Sequence, residues 1–251
     1  MHQDTLTPDF TDLAHRTVGE LVAEDYRKAE VFKRYGIDFC CGGGRTVQDA
    51  CAKKGVDYEE LASSLRTVAA SERTAPALNF KEWDPGFLAD YIVNIHHVYV
   101  RENLPLLKQF TTKVARVHGE AHPEVVEIAR LFDELAQELD QHMIKEETVL
   151  FPHVKRLTTA YKQGTTLTSP PFGTVQNPIR MMEHEHDQAG AIMHEIRRLS
   201  NDFTPPEGAC TTYRVTYAKL QEFEDDLHQH VHLENNILFP KTAALESKVA
   251  A

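Results

Sequence analysis

The chain has 251 residues, 41% of them hydrophobic and 26% charged, an ordinary globular composition with enough core for one large domain or two smaller ones. Its net charge of -11 excludes the basic face that non-specific nucleic-acid binding needs, and no run approaches the roughly 20 apolar residues of a membrane span. The opening MHQDTLTPDF lacks the basic and apolar regions of a secretory signal, and the vicinal pair Cys40 and Cys41 can bridge only through a small strained ring, so a disulfide framework is excluded and a reducing, cytoplasmic setting is expected.

In chain order nearly everything reads as helix. Thr17 caps a first helix through LVAEDYRKAEVFKRY to a stop at Gly36. GIDFCCGGGR breaks the pattern. Thr46 opens a short helix that Gly55 ends, and Asp57-Tyr58-Glu59-Glu60 has the form of a capping box for ELASSLRTVAA. These elements predict a small helical domain over residues 1–72, with a polar linker at 73–82. Asp84-Pro85 then starts a long helix to about His118. His122-Pro123 starts a second to about Leu157, Asn177-Pro178 a third to near Asn201, and the last runs from about Thr211 to Leu245. TTAYKQGTTLTSPPFGTVQ reads as a crossover loop. Pro105, Pro152 and Pro240 are expected to kink or end helices. The fold class is all-α, with a four-helix bundle over 83–247.

Two stretches of the bundle nearly repeat: HMIKEETVLFP from His142 and HVHLENNILFP from His230, 88 residues apart. Positions i and i+4 share a helix face, so His142 with Glu146 and His230 with Glu234 can each aim two ligand groups at one point. The pairing alone carries nothing, because at this composition roughly two such pairs arise by chance, and the sequence holds two. The shared Leu-Phe-Pro ending changes the weight. Stepping back one helix from each copy lands on His97 and His186, in the histidine-rich patches NIHHVYV and MEHEHDQ. The bundle therefore reads as a duplicated hairpin offering four imidazoles and two carboxylates.

Buried groups of this kind are costly unless paired, and such ligands suit iron, manganese or zinc. Two octahedral ions offer about 12 positions, of which this donor set and a solvent-derived bridge fill about ten. Glu138 and Asp226, each four residues before a ligand candidate, either orient a ring or sit solvated. His96, His184, His228 and His232 flank the candidates and face elsewhere by helical phase. His15, His118, His122 and His153 read as surface or cap residues.

AEVFKRYGIDFCCGGGRTVQDAC in the first domain, with HHVYVRENLP, HMIKEETVLFP, MEHEHDQAG, PPEGACTTY and HVHLENNILFP in the bundle, resembles the repair-of-iron-centres family. These are hemerythrin-like di-iron proteins linked to recovery of iron–sulfur clusters after nitrosative and oxidative damage. The resemblance covers almost the whole chain. It implies two irons with an oxo-like bridge, on His97, His142, Glu146, His186, His230 and Glu234, the six that spacing also selects. A one-residue slip would exchange His97 for His96.

Cys40 and Cys41 are candidates for the reactive groups, since a thiol between glycines near a helix start can have a lowered pKa. The alternative is a buried structural cysteine. Gly42, Gly43 and Gly44 are expected to leave their loop open and mobile. Cys51 is a resolving thiol or core, and Cys210 structural. Three functions use the same six ligands: repair of damaged iron–sulfur proteins; reduction of nitric oxide or peroxide; and binding of nitric oxide or dioxygen. The cysteine domain favours repair. Whether the centre turns over, and whether the chain forms a homodimer, the sequence leaves open.

Overall fold

The computed structural model describes residues 12–70 and 78–249, so the first half of the expected linker, 73–77, lies outside the described residues. Among the described residues there is no strand, only an isolated bridge between Thr17 and Thr46. No described helix is long and apolar enough to cross a membrane. Two compact units divide the chain. One holds the residues through Trp83 together with His232–Ile237, the other Asp84–Val231 and the residues from Leu238 onward.

The first unit contains α1 (Val18–Glu24), α2 (Lys28–Arg34), α3 (Val47–Lys54) and α4 (Tyr58–Ala70). Thr17 accepts from the Glu20 amide while Glu20 accepts from the Thr17 amide, a complete capping box. Thr46 caps α3 through the Asp49 amide, and Asp57 accepts from the Glu60 amide at the head of α4. Gly36 and Gly55 both take left-handed backbone, as helix stops require. The first helix is not continuous to Gly36, however. Asp25 is extended, and its carboxylate binds the backbone and guanidinium of Arg27, which supports a break between α1 and α2. Leu21, Val31, Phe32, Leu61 and Leu65 form the buried interior.

Four long helical runs make up the second unit and the His232–Ile237 segment. The first joins α5 (Pro85–Tyr91) to α6 (Val98–His118) through a π turn at Ile92–His97. The second joins α7 (Glu124–Lys145) to α8 (Phe151–Gln163) through a π turn at Glu146–Leu150. The third is α9 (Gln176–Leu199). The fourth joins α10 (Thr211–Leu233) to α11 (Phe239–Val249) through a π turn at Glu234–Leu238. Asp84 caps the first run through the Phe87 amide. α6 packs on α7, α7 on α9, and α8 on both α5 and α11. Phe132 and Phe223 meet edge to face in the core.

Two expectations are corrected here. The stretch TTAYKQ is helical, because α8 runs on to Gln163 and stops only where Gly164 turns left-handed. Pro152 and Pro240 do not end helices. Each is the second residue after a π turn, where a residue without an N–H leaves no ladder bond unmade. Pro105 likewise sits inside α6.

Candidate metal centre

The π turns mark the site. His97 closes the first, Glu146 opens the second, and Glu234 opens the third. Each inserts an extra residue into a helix, and such bulges cluster at functional positions. All six side chains singled out by spacing are buried, with Glu146 and Glu234 fully so.

Their ligand atoms fall into two groups, each within 4.8 Å: His97, Glu146, His230 and Glu234 in one, His142, Glu146, His186 and Glu234 in the other. Both carboxylates belong to both groups. Each group takes the first-helix histidine of one hairpin and the second-helix histidine of the other. The duplicated halves thus interleave, as a two-fold pseudosymmetric pair of sites requires. The repeated Phe-Pro is also accounted for: Phe151 stacks on His97 at 5.7 Å, and Phe239 stacks on His186 at 6.1 Å. In each hairpin the phenylalanine of the second helix braces the histidine of the first.

The outer ring nitrogens of His97 and His142 are held by carboxylates. His142 Nδ1 lies 2.9 Å from Glu185 Oε2, and His97 Nδ1 lies 2.6 Å from Glu147 Oε1. A carboxylate at Nδ1 fixes the proton there and turns the Nε2 lone pair inward. The hydrogen bond from His142 holds Glu185 down at about 2, against its burial, with Lys145 assisting. Burial would raise Glu147, but hydrogen bonds from His97 and Arg101 outweigh it and keep its carboxyl below the usual range.

Inside the centre, His97 Nε2 and His142 Nε2 lie 3.3 and 3.4 Å from Glu146 Oε2, and the Nε2 atoms of His142 and His186 are 3.1 Å apart. Inward lone pairs facing one another and a buried carboxylate repel; a cation between them turns every one into a ligand. The donor set therefore fits metal, and nitrogen with carboxylate oxygen suits iron, manganese or zinc.

Glu147 and Glu185 were missed by sequence reasoning, although each adjoins a chosen residue. The sequence offers Glu138 and Asp226 either for this task or as solvated charges. His142 uses Glu185, and Asp226 Oδ1 lies 2.9 Å from His96 Nδ1. His96 does not face away: it is buried and stacks on His230 at 5.6 Å. His153 is buried as well, not a surface residue, and His232 is buried between Tyr26 and Phe39.

The cysteine loop belongs to the first unit and is closed by hydrogen bonds, contrary to expectation. Asp38 accepts from the amides of Cys40, Cys41 and Gly42 at 2.9, 3.1 and 2.9 Å. Asn236 donates to the carbonyls of Phe39 and Cys40 at 3.3 and 3.0 Å. Cys40 is buried and Cys41 half-buried, with sulfurs 3.9 Å apart. The Cys40 pKa is not lowered. The adjoining Cys41 thiol, burial and the Asp38 carboxylate all push it well up. Cys51 is buried in α3, while Cys210 is exposed, its sulfur 3.3 Å from His118 Nε2. Asn236→Ala is expected to cost about 1–2 kcal/mol and to raise the rate at which a thiol reagent modifies Cys40, read by stopped-flow labelling.

Bundle and donor set together define the hemerythrin class: the sequence profile of the Hemerythrin HHE cation binding domain matches residues 89–242. A profile described as a domain of unknown function (DUF542) matches residues 14–69. The chain belongs to the family of iron–sulfur cluster repair proteins that carry this pair of domains, as the resemblance implied. It is 38% identical to the iron–sulfur cluster repair protein YtfE of Pectobacterium atrosepticum, over 90% of this chain and 96% of that one. To the protein of the same name from Citrobacter koseri it is 36% identical, over 91% and 97%, and to that of Escherichia coli 36%, also over 91% and 97%.

Proposed function

We propose that this chain repairs damaged iron–sulfur clusters, including those damaged by nitrosative or oxidative stress, with a pair of irons held by His97, His142, Glu146, His186, His230 and Glu234. The reading rests on one observation above the rest: two groups of buried nitrogen and oxygen donors that share both carboxylates. Glu146 and Glu234, common to both donor groups, would hold the metal together with the four histidines, and Glu147 and Glu185 orient the rings of His97 and His142. Two irons there supply redox-active metal with positions left for a small ligand such as nitric oxide or dioxygen. The Cys40-Cys41 loop contacts the client protein or exchanges iron or sulfur with it. We place this work in the cytoplasm. Nitric oxide binding or reduction as the whole function is not favoured, since it leaves the cysteine domain without a task.

Purified chain is expected to restore activity to an enzyme whose cluster has been nitrosylated. Cys40→Ala/Cys41→Ala is expected to lose that repair while keeping its iron. Full repair by the double variant would remove the cysteines from the mechanism.

A further inference from the structure

We propose that Asp38, Cys40 and Cys41 form a second, thiolate metal site, separate in chemistry from the histidine–carboxylate centre. It would take a borderline-soft divalent ion, with ferrous iron in transit as the natural cargo. The inference rests on the repair reading for its cargo, but not for its chemistry.

Three donors converge. Cys40 Sγ is 3.9 Å from Cys41 Sγ and 3.2 Å from Asp38 Oδ1, and all three ligand atoms lie within 4.8 Å of one another. Two metal–sulfur bonds of about 2.3 Å span that sulfur separation when they open slightly beyond the tetrahedral angle. The Cys40 thiol lies within hydrogen-bond reach of both Asp38 Oδ1 and Cys41 Sγ, so an ion entering among them takes the place of the thiol proton. With three protein donors the fourth tetrahedral position stays open, the arrangement of a site that exchanges ligands, not of a closed structural one.

The cradle is built before any ion arrives. Three amides hold the Asp38 carboxylate, and Asn236 holds the Phe39 and Cys40 carbonyls. The Gly19 amide donates to the Gly43 carbonyl at 2.8 Å. Little conformational entropy remains to be lost on binding. The adjoining Cys41 thiol and burial push the Cys40 pKa up, so without an ion that sulfur stays protonated. Binding then releases one proton from each thiol, two per ion, and no electron moves. Asp38 is exposed and Cys41 half-buried, which leaves the open side reachable by a client's own thiolates.

Cobalt(II) is the probe, added anaerobically to the full chain with the bundle centre already loaded with iron. A sulfur-to-cobalt charge-transfer band in the near ultraviolet can come only from cysteine, which separates this site from the histidine centre. The band is expected in the Cys210→Ser background and in His142→Ala/His186→Ala, with two protons released per cobalt. It should vanish in Cys40→Ser/Cys41→Ser. Asp38→Asn, which keeps an acceptor for the loop amides, is expected to weaken binding about tenfold. No charge-transfer band, a band that survives the double serine change, or unaltered affinity in Asp38→Asn would each overturn the site. If the band appears but the chain repairs no cluster, the repair reading fails and the thiolate site stands.

Discussion

Glu146→Ala is expected to empty the centre of both irons, from about two per chain to a small fraction of one. The reason is geometric. Glu146 is fully buried and belongs to both donor groups, so its loss opens both at once. It also leaves His97 Nε2 and His142 Nε2 without the oxygen they share at 3.3 and 3.4 Å. Glu147→Ala, one position on, removes only the group that orients His97 and supports Arg101. It should weaken retention by about 10–100-fold without abolishing it. Iron analysis of the two variants after gel filtration checks the contrast. Equal iron in Glu146→Ala and the parent chain would show that the carboxylate bridges nothing.

The second large effect falls on the cysteine loop. A Cβ at position 43 would lie 2.6 Å from the Phe39 carbonyl oxygen and 2.4 Å from Asn236 Oδ1. The first of these is backbone and cannot swing away. Gly43→Ala should therefore destabilise the first unit by about 2–3 kcal/mol and spoil repair, while the iron content stays at the parent level. At Gly44 a Cβ meets nothing within 4 Å, so Gly44→Ala is the matched control and should be nearly neutral. Denaturant unfolding followed by hydrogen exchange of residues 36–46 separates the two. The consecutive glycines are not equivalent. Gly43 is small because two pieces of chain meet there, and Gly44 is not.

Much of the bundle was legible because long helices advertise themselves. Asp84-Pro85 and Gly55 are local signals whose meaning does not depend on distant partners. The six central side chains were legible for another reason: a duplicated hairpin prints its symmetry as a repeat, and His97 and His186 fall at matching places in it. What stayed hidden was set by packing across helices. A π turn has no composition of its own, so Pro152 and Pro240 read as breaks when each merely follows a widened turn. Helical phase placed His96 away from the centre, but phase assumes 3.6 residues per turn, and Ile92–His97 does not keep it. Glu185 could have been found, lying between two histidines in MEHEHDQ, but only the fold shows that it crosses to His142. The break at Asp25 came from a carboxylate that binds its neighbour Arg27, a choice helix propensity does not register.

Iron quantification with Mössbauer spectroscopy on the desalted chain tests the central claim most directly. About two irons in one magnetically coupled pair are expected, retained in Cys40→Ala/Cys41→Ala and lost in Glu146→Ala. A single uncoupled iron, or a coupled pair that disappears with the cysteines, would contradict a centre built from the bundle's histidines and carboxylates.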